Sequence, residues 1–360
     1  MKIAPPRISW RLRDSAQRVL DSSPAIIQIV IAATAAYAFA SLVLGHQSPL
    51  FALTVTITSL GFTRDARPRR IFDTAIGMIT GIALSEVLLL WIGPGLWQMT
   101  LVLLVSLVAA RFISGSAAFA LTVGIQAMLV YIMPAPDGGV FIRSLDGLIG
   151  GATALILTAL IPRDPRGLAK KDAHKLFELF IDSLIALNIA VRSVDVKLVD
   201  GALARVRRSQ PLVDNWRLSL ESAVAIARIS PFLRRHRKEL NAQVRLMRGM
   251  DLATRNLRVV VRRVDFLVDD GQPRPYLADL FEGIAEATVL LSEGLDEPAK
   301  SLEAQAMFVE IIHQLDPKKF GIADQIREAS VLLLLRPLLV DLLCASGMGE
   351  DQARAELPKV

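Results

Sequence analysis

Two short stretches share a spelling and a spacing of polar groups: FALTVTITS, with Thr54 and Thr58, and FALTVGIQA, with Thr122 and Gln126. Residues four apart share one face of a helix, so each copy of FALTV carries a polar stripe. Hydroxyl and amide groups can bond a carboxylate, and two such stripes facing one another would line a route for an organic acid. The same groups also make interhelical hydrogen bonds that only hold a bundle together, worth roughly 0.6 to 2 kcal/mol each. Both readings stand for Thr54, Thr58, Thr122 and Gln126.

Glu86 sits in GIALSEVLLLW, well inside an apolar run. A carboxylate at that depth is costly unless paired, protonated or hydrated, which makes a proton carrier the first hypothesis and a neutral, hydrogen-bonded acid the second. Arg70 with Asp73, and Arg143 with Asp146, repeat an R-x-x-D spacing at the start of two apolar stretches. An acid there stabilises a helix N-terminus by about 0.3 to 1 kcal/mol, and the arginines would pair with the acids, snorkel, or attract organic anions at the two mouths of a route. Gly77 with Gly81, and Gly147 with Gly151, form small-x-x-x-small faces that allow helices to approach closely, and they suggest that the two glycine-bearing helices cross.

Nothing in the chain reads as a catalytic or metal centre. There is no G-x-x-x-x-G-K-[ST] loop and no G-x-S-x-G elbow, and His46, His174, His236 and His313 lack zinc-ligand spacing. Cys344 is the single cysteine, so no disulfide framework exists. The expectation is a non-enzyme without cofactor.

The elements that must position these residues follow from hydropathy. The 360 residues are 52% apolar, and the long apolar runs fall in the first 160 or so residues. A bilayer core of about 30 Å needs roughly 20 apolar residues per helix. Six spans are expected, at about 25–44, 50–62, 71–92, 96–113, 117–133 and 144–161, the second short and polar enough to need neighbours on all sides. The fold class is therefore all-α: a basic amphipathic N-terminal segment over 1–22 that includes Trp10, a membrane domain over 23–163, and a cytoplasmic helical domain over 164–360.

Short-loop basic residues mark the cytoplasmic side. Lys2, Arg7, Arg11, Arg13 and Arg18 precede the first span, Arg64, Arg67, Arg69 and Arg70 fill the second loop, and Arg163, Arg166, Lys170 and Lys171 follow the sixth. Both termini are thus expected in the cytoplasm, with Trp91 and Trp97 at the outer interface. Residues 1–22 hold five basic and two acidic groups, whereas 163–360 hold 30 and 28. The net charge of +6 thus falls mainly at the membrane surface, and lipid is favoured over nucleic acid as its partner.

R-x-x-D-x-x-I-G-x-x-T occurs at Arg70 to Thr80 and at Arg143 to Thr153. Together with FALTV it divides the membrane domain into two three-helix repeats, about 25–92 and 96–161. An odd number of spans per unit makes consecutive copies enter the membrane from opposite sides, the inverted-repeat plan of many secondary transporters. Gly77 and Gly150 are equivalent positions in the two copies.

The stretches LGFTRDARPRRIFDTAIG and GLIGGATALILTALIPRDPR resemble the fusaric acid resistance and aromatic acid exporter family, and QPLVDNWRLSLESAVAIARISPFLRRHR is similar to tails of its actinobacterial members. The resemblance implies a plasma-membrane exporter of small organic anions. Many relatives double the whole unit within one chain, and the single unit here implies a homodimer. The leading expectation is proton-coupled efflux of aromatic or other organic acids. Plant malate channels are similar in having six spans and a helical tail, so a passive anion channel stays open, as does a non-transporting membrane scaffold. In the tail, Ser230-Pro231 is expected to start a long basic helix, and ASVLLLLRPLLVDLLCASG is expected to be a buried bundle helix, since Arg336, Pro337 and Asp341 interrupt it.

Overall fold

The computed structural model describes residues 12–62, 67–134, 139, 141–161 and 164–359. The segment around Trp10, Arg64 and Arg163 lie outside the described residues. All regular structure among the described residues is helical, and the chain divides into two compact units, one of residues 1–164 with 225–234 and one of 165–224 with 235–360.

The first unit contains α1 (Leu12–Ala38), α2 (Leu50–Leu60), α3 (Pro68–Ile92), α4 (Leu96–Ile113), α5 (Ala117–Ile132) and α6 (Ile142–Leu160). A π-helical turn, Phe39–Val43, extends α1. Local signals set several boundaries. Pro68 opens α3 at a position where its missing N–H costs nothing, and the Ser116 hydroxyl caps α5 by accepting from the Phe119 N–H. Gly61 and Gly93 end α2 and α3 with positive φ.

Six full spans are not what forms. Four of the expected segments are long and apolar enough to cross a membrane, but α2 has 11 residues and α5 has 16. At 1.5 Å per residue they reach about 16 and 24 Å, short of a core of about 30 Å. These two helices carry the FALTV segments. A fifth helix of sufficient length and apolarity, Ile326–Ser346, lies in the second unit.

Packing in the first unit is crossed between its halves. α2 lies chiefly against α6 and α5 against α3, while α3 and α6 also meet, α1 flanks α2 and α6, and α4 flanks α5 and α3. The core holds Phe51, Val55, Ala75, Met78, Ile82 and Val130. The glycines explain the closeness: a Cβ on Gly81 would stand 2.7 Å from the Val123 carbonyl oxygen, and one on Gly150 would stand 2.5 Å from that of Ala52. Gly77 faces the Phe119 ring, whereas Gly147 and Gly151 face Ile79, Ile82 and Ala75. The two expected glycine faces therefore do not lie on one another. Gly77 and Gly81 receive α5, and only Gly147 and Gly151 receive α3. Trp91, Leu96, Phe112 and Ile132 are strongly exposed, as a lipid-facing perimeter requires.

The second unit contains α7 (Pro165–Ser193), α8 (Val196–Arg207), α9 (Gln210–Ile229, whose last residues fall in the first unit), α10 (Arg237–Val268), α11 (Pro275–Glu293), α12 (Pro298–Ile312), α13 (Ile326–Ser346) and α14 (Glu350–Ala355). Trp216 is fully buried against Phe177, with ring centroids 6.2 Å apart. The long helix does not start at Ser230-Pro231. Residues 231–233 form a turn and Arg234–His236 a 3-10 turn, and α10 begins only at Arg237. α13 packs along α10, with Asn256 donating to Asp341 at 2.6 Å.

Candidate functional site

The chemistry-bearing residues of the first unit gather at two places, both built from helix ends. The first is a cavity of about 610 Å³ lined by Thr58 from α2, Arg67, Arg69, Arg70, Asp73 and Thr74 from the start of α3, and Ser114, Ser116, Phe119 and Thr122 around the start of α5. Asp73 stays exposed and faces Arg69 at 4.0 Å. The wall of the cavity thus includes three arginines, one aspartate, several hydroxyl-bearing residues and a phenylalanine. Arg can hold a carboxylate in a bidentate grip, and a ring face suits an aromatic ligand.

The second place is the beginning of α6, and it is filled with buried polar side chains. Arg143, only 6% exposed, donates to the carbonyls of Val130 and Met133 at 3.0 and 3.1 Å and also to that of Pro134. These carbonyls end α5, where no further helical N–H reaches them. Glu86, 4% exposed, accepts from the Ser144 hydroxyl at 2.6 Å, and its carboxylate lies near the first N–H groups of α6, those of Arg143 and Ser144. Its other oxygen is buried without a partner. One turn on, Asp146 accepts from Nδ1 of His46 at 2.6 Å, with both side chains about nine-tenths buried or more.

The sequence expectations fare unevenly against these positions. Thr58 and Thr122 do line one cavity. Thr54 does not, and its hydroxyl turns back to the Phe51 carbonyl at 3.4 Å. Thr122 donates to its own helix, at Ala118, over 2.7 Å. Gln126 is buried away from the cavity, and its carbonyl oxygen has no partner. Thr54 with Thr58 and Thr122 with Gln126 therefore do not form two opposed stripes. The buried polar residues of α2 are Thr56 and Ser59, and Thr56 donates to Ala52 and, across the interface, to Gly150 at 3.0 Å. Arg70 stands at an open mouth, but Arg143 does not: its guanidinium is consumed by the end of α5.

Three residues that matter here escaped sequence reasoning. His46 sits in GHQSP, a connection with no spacing signal, and its partner is 100 residues away. Gln28 donates to the carbonyls of Leu157 and Ile161 at 3.4 and 2.7 Å and so caps the end of α6. Ser144 looks like an ordinary first-turn serine. The one available hint was Asp146 itself, an acid inside an apolar helix that needs a partner.

Residues 33–157 match the family described as fusaric acid resistance protein-like. That stretch runs from α1 into α6 and includes every residue of both clusters. Residues 33–157 of the first unit are thus similar to a fusaric acid resistance protein-like domain. Beyond that domain, the chain is 28% identical over 354 residues to an uncharacterized protein of Corynebacterium glutamicum, covering 96% of this chain and 91% of the relative. The likeness therefore extends through the helical tail. Four helices of the first unit and α13 of the tail have the length and apolarity to cross a membrane, as expected of a multi-pass membrane protein.

Proposed function

We propose that this protein exports small aromatic or other organic acids across the plasma membrane, coupled to protons. The observation that carries the reading is the cavity of about 610 Å³, which combines Arg67, Arg69 and Arg70 with Thr58, Thr122, Ser114, Ser116 and the Phe119 ring. Its volume lies in the range of about 300 to 1,000 Å³ usual for small-molecule sites. Its charge suits an organic anion, and its ring suits an aromatic one.

Both termini face the cytoplasm in this reading, because Arg67, Arg69 and Arg70 line the cavity and basic residues between spans mark the cytoplasmic side. The cavity then opens inward, and the filled end at the start of α6 faces outward. One open and one filled end is the arrangement alternating access asks for, and it speaks against a continuous channel. The crossed pairing of α2 with α6 and α5 with α3 supports an inverted repeat, and two copies of the chain would supply the doubled unit common among its relatives. Glu86 is the candidate proton carrier.

Flux into proteoliposomes, with benzoate as the probe, tests the proposal. Accumulation against a concentration gradient, driven by a pH gradient, is the expected result. Purely passive, voltage-following currents would instead make the protein a channel. If neither occurred and deletion of the tail alone abolished activity in cells, the scaffold reading would replace both.

A further inference from the structure

The buried pair of His46 and Asp146 has no part in the anion cavity and needs its own explanation. His46 lies in the connection between α1 and α2, where its backbone N–H donates to the Ala40 carbonyl at 3.1 Å. Its ring reaches across to the second turn of α6, with side-chain exposures of 11% for His46 and 3% for Asp146. A packing contact alone would be served more cheaply by apolar groups, since burying an ionic pair usually costs more desolvation than its attraction returns.

Among the described residues, few other charges face this pair. Of the helices packed on α6, α2 carries no charged residue, and those of α1 all lie within its first ten residues, at the opposite end. α3 contributes Glu86, and α6 itself contributes Arg143. Arg143 is held by the α5 carbonyls and Glu86 by Ser144. His46 and Asp146 therefore answer chiefly to one another.

We infer that His46 and Asp146 form a second proton site, whose charge state decides whether the α1–α2 connection stays seated on α6. This rests on the proton-coupled reading above. With one proton on the ring, Nδ1–H donates to the Asp146 carboxylate and the pair carries a net charge of minus one. A proton from water on Nε2 gives imidazolium beside carboxylate, with no net charge, and its release to water restores the first state. In a poorly hydrated interior the neutral sum is the cheaper one to bury. Proton binding therefore tightens the seat and proton loss loosens it, at the end of the unit that the anion cavity does not reach.

The test uses full-length protein in liposomes with labelled benzoate and two readouts, accumulation driven by a pH gradient and gradient-free counterflow. Counterflow needs substrate movement but no net proton movement. His46→Gln and Asp146→Asn are expected to lower gradient-driven accumulation at least roughly tenfold while counterflow stays at the wild-type rate. Unchanged gradient-driven accumulation in His46→Gln overturns the inference. So does parallel loss of both readouts in both variants, which would make the pair purely structural. Absence of counterflow in the wild type would remove the transport reading itself, a separate failure.

Discussion

The starts of α3 and α6 carry the same R-x-x-D-x-x-I-G-x-x-T pattern, yet one borders an open cavity and the other is packed solid. At α3, Asp73 is exposed and Arg70 lines the cavity. At α6, Arg143 and Asp146 are buried and hydrogen-bonded to α5 and to His46. Identical residue types thus do different work because their surroundings differ. Opposite α6 stand the carbonyls ending α5, Glu86 and His46, which bond Arg143, Ser144 and Asp146. Opposite α3 stand the hydroxyls and ring at the start of α5, which leave space.

The contrast should be largest in stability. Arg143→Ala strips the α5 carbonyls of their donors and leaves Glu86 facing less positive charge, at a cost of roughly 3 to 5 kcal/mol. Arg69→Ala, at the open end, where the side chain is 92% exposed and stands 4.0 Å from Asp73, should stay within about 0.5 kcal/mol. Thermal unfolding of the two variants in detergent measures the difference, and equal losses would erase the distinction between the ends.

A smaller effect separates Gly77 from its equivalent, Gly150. A Cβ at Gly150 meets backbone at Ala52, which cannot step aside, whereas one at Gly77 meets the Phe119 ring, which can turn. Gly150→Ala should cost roughly 1 to 3 kcal/mol by overpacking, and Gly77→Ala should cost less. Gly77→Ala should also move the ring that lines the cavity, so benzoate affinity is its more sensitive readout.

The tail offers a reference for a charge cluster built to stay ionised. Arg274, 6% exposed, bonds Asp270 and Glu328, and Tyr276 donates to Glu328. The Arg274 hydrogen bond is the main cause that holds the Asp270 carboxyl down at about 2. Because that value lies below the ordinary carboxylate range, the contribution to tail stability is complete above about pH 4. It declines as the pH falls and is gone once Asp270 itself is protonated. Acid unfolding of the wild type and Asp270→Asn, followed by Trp216 fluorescence, should show a shallower decline between pH 4 and 2 in the variant.

The helical, apolar character of the chain was legible in the sequence because hydropathy is a local signal. The apolar stretches rest on residue types read in order. What stayed hidden depends on partners distant in the chain. Thr54 and Thr58 share a spacing with Thr122 and Gln126, but the stripes fail because Thr56 and Ser59, on the adjoining face of α2, are the buried ones. Spacing gives a face and not its direction when nearly every neighbour is apolar. The second span is short in the sequence too, but its expected end at 62 runs past Leu60 because Gly61 and Phe62 extend the apolar run without extending the helix. Likewise Ser230-Pro231 carries a good start signal, yet the chain turns once more before α10.

In the proposed function the basic, open end receives the organic anion and the filled end does not. The benzoate concentration for half-maximal flux in proteoliposomes, compared between wild type and the double variant Arg69→Ala with Arg70→Ala, measures this directly. Losing charge-assisted bonds of about 1.5 to 3 kcal/mol predicts a rise of roughly tenfold or more, with protein stability unchanged. An unchanged half-saturation concentration would place the anion elsewhere and remove the cavity from the transport route.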